Sequence, residues 1–248
     1  MGTRLREETE FKPKPMVPIG GMPILWHIMK IYSHCGVRDF VLCLGYKGEM
    51  IKQFFLAHEM LSRDFTIELR SGRRSVHDGK DIEDWNISLV ETGLNAMTGS
   101  RLKKAEKYVP DENFLFTYGD GLADINIDGL VAHHKSKGTI GTLTGVRPPS
   151  RFGIIKADKN EVVTEFLEKP MSEDQVNGGF CVFKKDIFDY VDADDSCVLE
   201  TKPLSTLAKK RQLSVYPHKG FWHCMDNYRD YTELNNIWDS GKVPWKVW

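Results

Sequence analysis

Between residues 24 and 146 the chain alternates apolar runs of strand length with stretches of helical periodicity, and this alternation limits its fold more than any other feature. Ile24, Leu25, Ile28, Met29, Ile31 and Tyr32 make a helical apolar stripe that opens after Pro23 and ends before Gly36. Residues 39–45 read as a buried strand, 48–58 as an amphipathic helix, 65–69 and 87–90 as further strands, and 70–85 as a polar excursion between them. A helix around 101–108, a strand at 114–118, a helix at 127–137 and a strand at 139–146 continue the pattern. Strands separated by helices predict an α/β fold with a Rossmann-like, mixed but mainly parallel sheet flanked by helices.

From Arg147-Pro148-Pro149 the texture changes. Residues 152–156, 162–166 and 179–183 are short strands without a helix between the first two, which predicts an antiparallel addition to the sheet. Helices near 185–191 and 199–210, a strand at 213–216 and a helix at 228–238 close the chain, and Trp245 and Trp248 in the tail either dock on the body or anchor a second subunit. The 248 residues suffice for one enzyme-sized domain with a sizeable core. A net charge of -1 argues against nucleic acid held by a bulk positive field and leaves small anions open. The five cysteines, at 35, 43, 181, 197 and 224, have no metal-ligand spacing and read as reduced thiols. No apolar run reaches the roughly 18 residues of a membrane span, and the charged start is not a signal peptide, so a soluble, cytoplasmic protein without membrane partners is expected.

Chemistry concentrates where apolar runs stop. Phe114-Leu-Phe-Thr-Tyr-Gly-Asp-Gly121 reads as a strand buried on both faces that ends at Asp120 between two glycines. Ligands of open α/β sheets gather beyond the carboxyl ends of the strands, though Gly-Asp-Gly is also ordinary turn chemistry. If Asp120 holds a hard cation, one more carboxylate suffices, and Asp226 before the last helix offers it; sequence alone favours Asp226 as the N-cap of that helix. Lys12 and Lys14 lie in a loop stiffened by Pro13 and Pro15, suited to an anion and equally to a solvated surface. Glu168 and Lys169 end a strand before Pro170; neighbours on a strand point to opposite faces, so simple pairing between them is not expected. Asn177 beside two glycines suits a hydroxylated ligand or a turn. Arg101 falls in the first turn of a helix, where the dipole disfavours a cation, so it is better explained if it faces an anion. A Gly-x-Ser-x-Gly elbow and a Walker loop are both missing from the sequence.

Taken in order, Gly2-Thr3-Arg4-Leu5, Lys12-Pro-Lys-Pro-Met-Val17, Glu91-Thr-Gly93, Thr98-Gly-Ser-Arg-Leu102, Phe116-Thr-Tyr-Gly-Asp-Gly121, Glu168-Lys-Pro170, Asn177-Gly-Gly-Phe180 and Met225-Asp226 cover nearly the whole chain. This set resembles the sugar-phosphate nucleotidyltransferases, most closely the glucose-1-phosphate cytidylyltransferase group. The resemblance implies one domain over 1–248, with a nucleotide-binding part at about 1–146 and a sugar-binding part at about 147–248. It implies attack by the phosphate of glucose 1-phosphate on the α-phosphorus of CTP, giving CDP-glucose and pyrophosphate with Mg²⁺ as cofactor. Residue by residue, Asp120 and Asp226 would hold the metal. Arg4, Lys14, Asp120 and Lys169 would carry the transfer, and Gly2, Thr3, Arg4, Lys12, Lys14, Thr92, Gly99 and Arg101 would bind the nucleotide. Gly153, Glu168, Lys169 and Asn177 would bind the sugar phosphate. A homo-oligomer, a trimer or hexamer, is also implied. One departure accompanies these matches: family members begin with a strand and a Leu-Ala-Gly-Gly-x-Gly-Thr-Arg-Leu loop, and this sequence starts at Met1-Gly2-Thr3, so the expected fold is short of its first strand and most of that loop. A shortened form of a normal enzyme is the favoured reading of that departure; with the aromatic tail it also motivates the competing one, a non-catalytic sugar-phosphate-sensing or regulatory subunit on the same scaffold. A metal-dependent glycosyltransferase is disfavoured, because Asp120 is followed by Asp124 rather than by an Asp-x-Asp pair.

Overall fold

The computed structural model describes residues 11–77, 82–150 and 152–248. A 3₁₀ turn at Lys14–Met16 leads into two short strands, β1 (Pro18–Ile19) and β2 (Met22–Pro23), which pair antiparallel around Gly20 and Gly21. Both glycines have positive φ, 58° and 86°, the backbone that a two-residue turn demands and that other residues rarely adopt. Helix α1 (Ile24–His34) follows, then β3 (Asp39–Leu44), α2 (Gly48–Ser62) and the antiparallel hairpin β4 (Phe65–Glu68) and β5 (Arg73–Val76). The polar excursion expected at 70–85 therefore contains a strand. Next come β6 (Asn86–Glu91), α3 (Thr98–Ala105), β7 (Asn113–Thr117), β8 (Gly121–Ala123), α4 (Ile127–Lys137) and β9 (Gly141–Val146). The hairpin β10 (Ile154–Ala157) and β11 (Val163–Leu167), then β12 (Val176–Lys184), α5 (Lys202–Lys209), β13 (Leu213–Pro217), β14 (Trp222–Cys224) and α6 (Tyr228–Asp239) complete the described chain.

The largest sheet has the order β13-β9-β12-β7, and β3 pairs with β6 in parallel. Strand β12 runs antiparallel to both of its neighbours while β13 is parallel to β9, so β7, β9 and β13 share one direction with a single reversed strand among them. The strand buried on both faces is β12: Phe180 and Val182 enter one core with α1, Leu122, Met225 and Trp245, and Cys181 and Phe183 enter another with Phe188, Leu199 and Leu207. That two-sided alternation is the period-2 geometry of a strand. Strand β7, expected to be buried through, is half-buried, because among the described residues it pairs on one edge only, with β12. Helix α1 is buried more completely than an amphipathic surface helix. Ile24, Ile28 and Ile31 face the first core, and Leu25 and Met29 pack with Leu44 and Ile51. Each such aliphatic side chain contributes about 1.5–3 kcal/mol by leaving water.

The tail settles back on the chain. Trp245 is fully buried among His27, Phe221 and Trp238, and Trp248 meets Trp26 edge-on at 5.8 Å. Of the two uses expected for these tryptophans, docking on the body is the one observed, which removes Trp245 as an intersubunit anchor. All five cysteines are free, with Cys181 fully buried as a small hydrophobe. Among the described residues no helix is long and apolar enough to cross a membrane.

Candidate active site

Two three-residue strands assemble the centre of the site. Strands β8 and β14 pair antiparallel with Gly121 opposite Cys224, and the Met225 N–H donates to the Asp120 carbonyl at 2.8 Å. Asp120 lies just before β8 and Asp226 just beyond β14, so this register sets the two carboxylates side by side although 106 positions separate them in sequence. The turn carrying Lys14 closes over them, with Pro15 so near Gly119 that a Cβ there would come within 3.0 Å of Pro15 Cγ. Lys14 Nζ donates to Asp120 Oδ2 at 2.7 Å and to Asp226 Oδ1 at 2.9 Å.

The cap expected at Asp226 sits one residue later. Asn227 accepts from the Asp230 N–H at 3.1 Å and Asp230 accepts in return from the Asn227 N–H at 3.0 Å, a reciprocal capping box that leaves the Asp226 carboxylate to face Lys14. Burial alone would pull the Lys14 ammonium down, but the hydrogen bonds and charges of Asp120 and Asp226 outweigh it and hold its pKa above the ordinary value. The Cys224 thiol beside them is pushed up, first by burial and then by the same two carboxylates, and it donates to Asp226 Oδ1 at 3.5 Å. Ligand atoms of Asp120, Cys224 and Asp226 all lie within 4.8 Å of one another. Two carboxylates already converging on one cation, beside a thiol kept protonated, suit a hard oxygen-seeking ion such as Mg²⁺ better than a thiolate-seeking one.

A second polar cluster lies beside the first. Register slips between Asn177 and Cys181, where β12 pairs with β9, and Gly178 and Gly179 occupy the bulge. Asn177 Oδ1 accepts from the Gly179 N–H at 3.0 Å, and its Nδ2 reaches Tyr118 OH at 3.5 Å. Tyr118 in turn donates to Glu200 in a short hydrogen bond, and Thr98 Oγ1 donates to the other oxygen of Glu200 at 2.6 Å. Trp222 Nε1 donates to the Gly178 carbonyl at 2.8 Å, joining the bulge to β14. Tyr118, Glu200 and Trp222 were missed as site residues. Tyr118 belongs to the run that ends at Asp120 and Trp222 lies just upstream of Met225-Asp226, but Glu200 has no local signal, because its partners are 82 and 102 positions away.

The remaining expected residues fall into three groups. Gly2, Thr3 and Arg4 lie outside the described residues, and Lys12 is half-buried one residue before the buried Pro13. Thr92 follows β6, while Gly99 and Arg101 lie in the first turn of α3, from which the Arg101 side chain reaches the end of β3. Arg101, expected to face an anion, donates to the Leu44 carbonyl at 3.0 Å and to Thr92 Oγ1 at 2.7 Å, while Thr92 is buried and donates to that same carbonyl at 2.7 Å. Strand ends leave carbonyls unpaired, and a guanidinium with five donors satisfies several at once. Gly99 is a packing site: a Cβ there would fall 2.6 Å from Cys197 Sγ, and its N–H is taken by the Cys197 carbonyl at 2.9 Å. Glu168 and Lys169 follow the exposed β10–β11 hairpin, with Gly153 so close that a Cβ would lie 3.2 Å from Glu168 Oε2. Contrary to the strand rule, Lys169 Nζ lies 3.5 Å from Glu168 Oε1. Strand β11 has ended at Leu167, and Lys169 has a left-handed backbone with φ 45°, so the alternation no longer applies.

The Nucleotidyl transferase family matches residues 1–239. A glucose-1-phosphate cytidylyltransferase from Salmonella typhi is 47% identical over 250 aligned positions, spanning 100% of this chain and 96% of that protein. Among solved structures, HddC from Yersinia pseudotuberculosis superposes with a TM-score of 0.65 at 20% identity over 96% of this chain and 95% of its own. A UDP-glucose pyrophosphorylase complexed with UDP-glucose does so with a TM-score of 0.65 at 17% identity, over 94% and 95%. These two share the fold, and the sequence match carries the closer relationship. The chain therefore belongs to the nucleotidyl transferase family and, within it, to the group of the glucose-1-phosphate cytidylyltransferases.

Proposed function

We propose that this protein joins CTP and glucose 1-phosphate to give CDP-glucose and pyrophosphate, and that its reaction centre is the Asp120–Asp226 pair. The observation that carries this reading is the convergence of those two carboxylates on the Lys14 ammonium, at 2.7 and 2.9 Å. The attacking group is a phosphate oxygen, already an anion, so the reaction needs no general base. It needs alignment of two polyanions and neutralisation of their charge. Asp120 and Asp226 would hold Mg²⁺, which when bound neutralises charge on the phosphates. Lys14, with Arg4 and Lys12 from the same opening segment, would meet the phosphates of CTP, and Lys169 the phosphate of the sugar. Gly153, Glu168 and Asn177 would line the hexose side. Thr92 and Arg101 would shape the nucleotide side from behind, through the Leu44 carbonyl they both bind, and Gly99 would do so through its packing on Cys197. The reading includes a nucleotide part at about 1–146, a sugar part at about 147–248, a cytoplasmic location, and a homo-oligomer of three or six chains that light scattering would size.

The test is pyrophosphate release by the purified protein. Release should require CTP, glucose 1-phosphate and Mg²⁺ together, fall sharply when UTP or dTTP replaces CTP, and vanish in Asp120→Asn and Asp226→Asn. No release with all three components present would sink the reading.

A further inference from the structure

The hydrogen-bond chain from Asn177 through Tyr118 to Glu200 and Thr98 admits one arrangement of protons, because a backbone amide fixes it at each end. At one end the Gly179 N–H, which can only donate, faces Asn177 Oδ1 at 3.0 Å. That turns Asn177 Nδ2 toward Tyr118 OH, 3.5 Å away. An amide nitrogen accepts nothing, so the phenol oxygen accepts and its own proton goes to Glu200 Oε1. At the other end the Leu199 N–H donates to Thr98 Oγ1 at 3.0 Å, which sends the Thr98 proton to Glu200 Oε2 at 2.6 Å. Both arms end on Glu200 and ask it for two acceptor oxygens. Among side chains of that length only a carboxylate supplies them.

We infer that Glu200 is a positioning residue for the sugar side of the site: by taking the Tyr118 proton it keeps the phenol oxygen as the acceptor that anchors the Asn177 amide already oriented by the Gly179 N–H, and the remaining Nδ2 hydrogen of Asn177 is offered to an oxygen of the hexose phosphate. The inference rests on the cytidylyltransferase reading above. Packing supports it independently of the bonds. Gly179 has φ 83°, and a Cβ there would fall 2.8 Å from Tyr118 Cδ2, so the phenol ring lies directly against the backbone whose amide holds Asn177 Oδ1. Glu200 and Asn177 are both exposed, so the chain of bonds opens toward solvent and not into the core.

Glu200→Gln preserves size but offers one acceptor and one donor, so one arm must reverse; Tyr118→Phe removes the link altogether. The KM for glucose 1-phosphate should rise about tenfold in each variant, the value of one directed hydrogen bond. The KM for CTP should move less than about twofold and kcat less than the KM for glucose 1-phosphate, with melting temperatures close to the parent's. Calorimetric affinity for glucose 1-phosphate should fall in parallel, and the double variant should be no worse than Tyr118→Phe alone, because the two changes interrupt one path. Unchanged KM for glucose 1-phosphate in both variants, an equal rise in both KM values, or additive losses in the double variant would each overturn the assignment of Glu200. A parent chain that neither bound nor turned over glucose 1-phosphate would overturn the reading of the site itself, and the role of Glu200 with it.

Discussion

If the Asp120–Asp226 pair holds a divalent cation as proposed above, the Lys14 ammonium occupies its place, with a measurable cost for metal binding. Its ammonium nitrogen lies 2.7 Å from Asp120 Oδ2 and 2.9 Å from Asp226 Oδ1. Mg²⁺ needs oxygens at about 2.0–2.1 Å, so an ion bound through these same two oxygens displaces the ammonium from them. Replacing Lys14 with Met keeps an unbranched side chain one atom shorter and removes the competitor. The side chains of Lys14 and Asp120 are 29% and 27% exposed and that of Asp226 is 44% exposed, so these pairs sit in partly wet surroundings. Pairs of that kind are each worth about 0.2–1 kcal/mol, so two of them together are worth about 0.4–2 kcal/mol, whose upper part corresponds to about a tenfold change in affinity.

Calorimetric titration with Mn²⁺ in the absence of nucleotide reads this directly. Lys14→Met should bind Mn²⁺ about tenfold more tightly than the parent, and the difference should narrow as salt rises, because exposed charges are screened over about 8 Å at physiological ionic strength. The same variant should lose turnover, since Lys14 is also assigned to the phosphates of CTP. Asp120→Asn should abolish binding in both backgrounds. Equal or weaker Mn²⁺ binding by Lys14→Met would refute the argument, because it would mean that the ammonium does not hold the place of the ion.

Three further expectations concern the scaffold. His27 is fully buried with Nε2 2.8 Å from the Ile19 carbonyl, and burial, with a smaller push from the Lys246 charge, lowers its pKa from 6.5 to about 4. The folded chain therefore binds fewer protons than the unfolded one between those values, and stability is full above pH 6.5 and declines toward pH 4 by about 3 kcal/mol; chemical denaturation across that range should show the slope, and His27→Gln should flatten it. Trp245→Ala should destabilise by about 3–5 kcal/mol, read by urea denaturation, while a mainly intersubunit role would leave monomer stability unchanged. Gly99→Ala should lower stability by about 1–3 kcal/mol through its clash with Cys197, at about 2–4 °C of melting temperature per kcal/mol, whereas a glycine needed only for nucleotide approach would leave melting untouched.

What the sequence disclosed and what it hid differ by the range of the interactions involved. Helix α1 was legible because its apolar spacing is local and its exit is marked by Gly36, and the run into Asp120 was legible because an aromatic strand stops abruptly between glycines. Asp226 was open between a metal ligand and a helix cap, and the cap was favoured because Asp accepts orphan amide hydrogens well, although the cap is its neighbour Asn227. The pair Asn227 and Asp230 three positions on was the signature that decides it, and it was present in the sequence all along. Strands β8 and β14 escaped notice because three residues carry too little periodicity to register. The pairing of Glu168 with Lys169 depends on a positive φ at Lys169, just before Pro170, which no composition rule signals. Glu200 was out of reach altogether, since nothing near it in the chain tells that Tyr118 and Thr98 will arrive there.

The two polar clusters are one mechanical unit, and Trp222 is the reason. Its indole N–H holds the carbonyl of Gly178 inside the β12 bulge that carries Asn177, while its backbone pairs with Ala123 in the short ladder that aligns Asp120 with Asp226. A shift of β14 by one residue would turn Trp222 to the opposite face of the ladder, and in the same movement would release the bulge and carry Asp226 away from Asp120. The register that places the carboxylates beside Lys14 therefore also places the amide of Asn177, so the proposed charge-neutralising and hexose-facing parts of the site cannot drift independently. In a reaction driven by alignment of two polyanions, a single short ladder setting both distances is the simplest way to keep them matched.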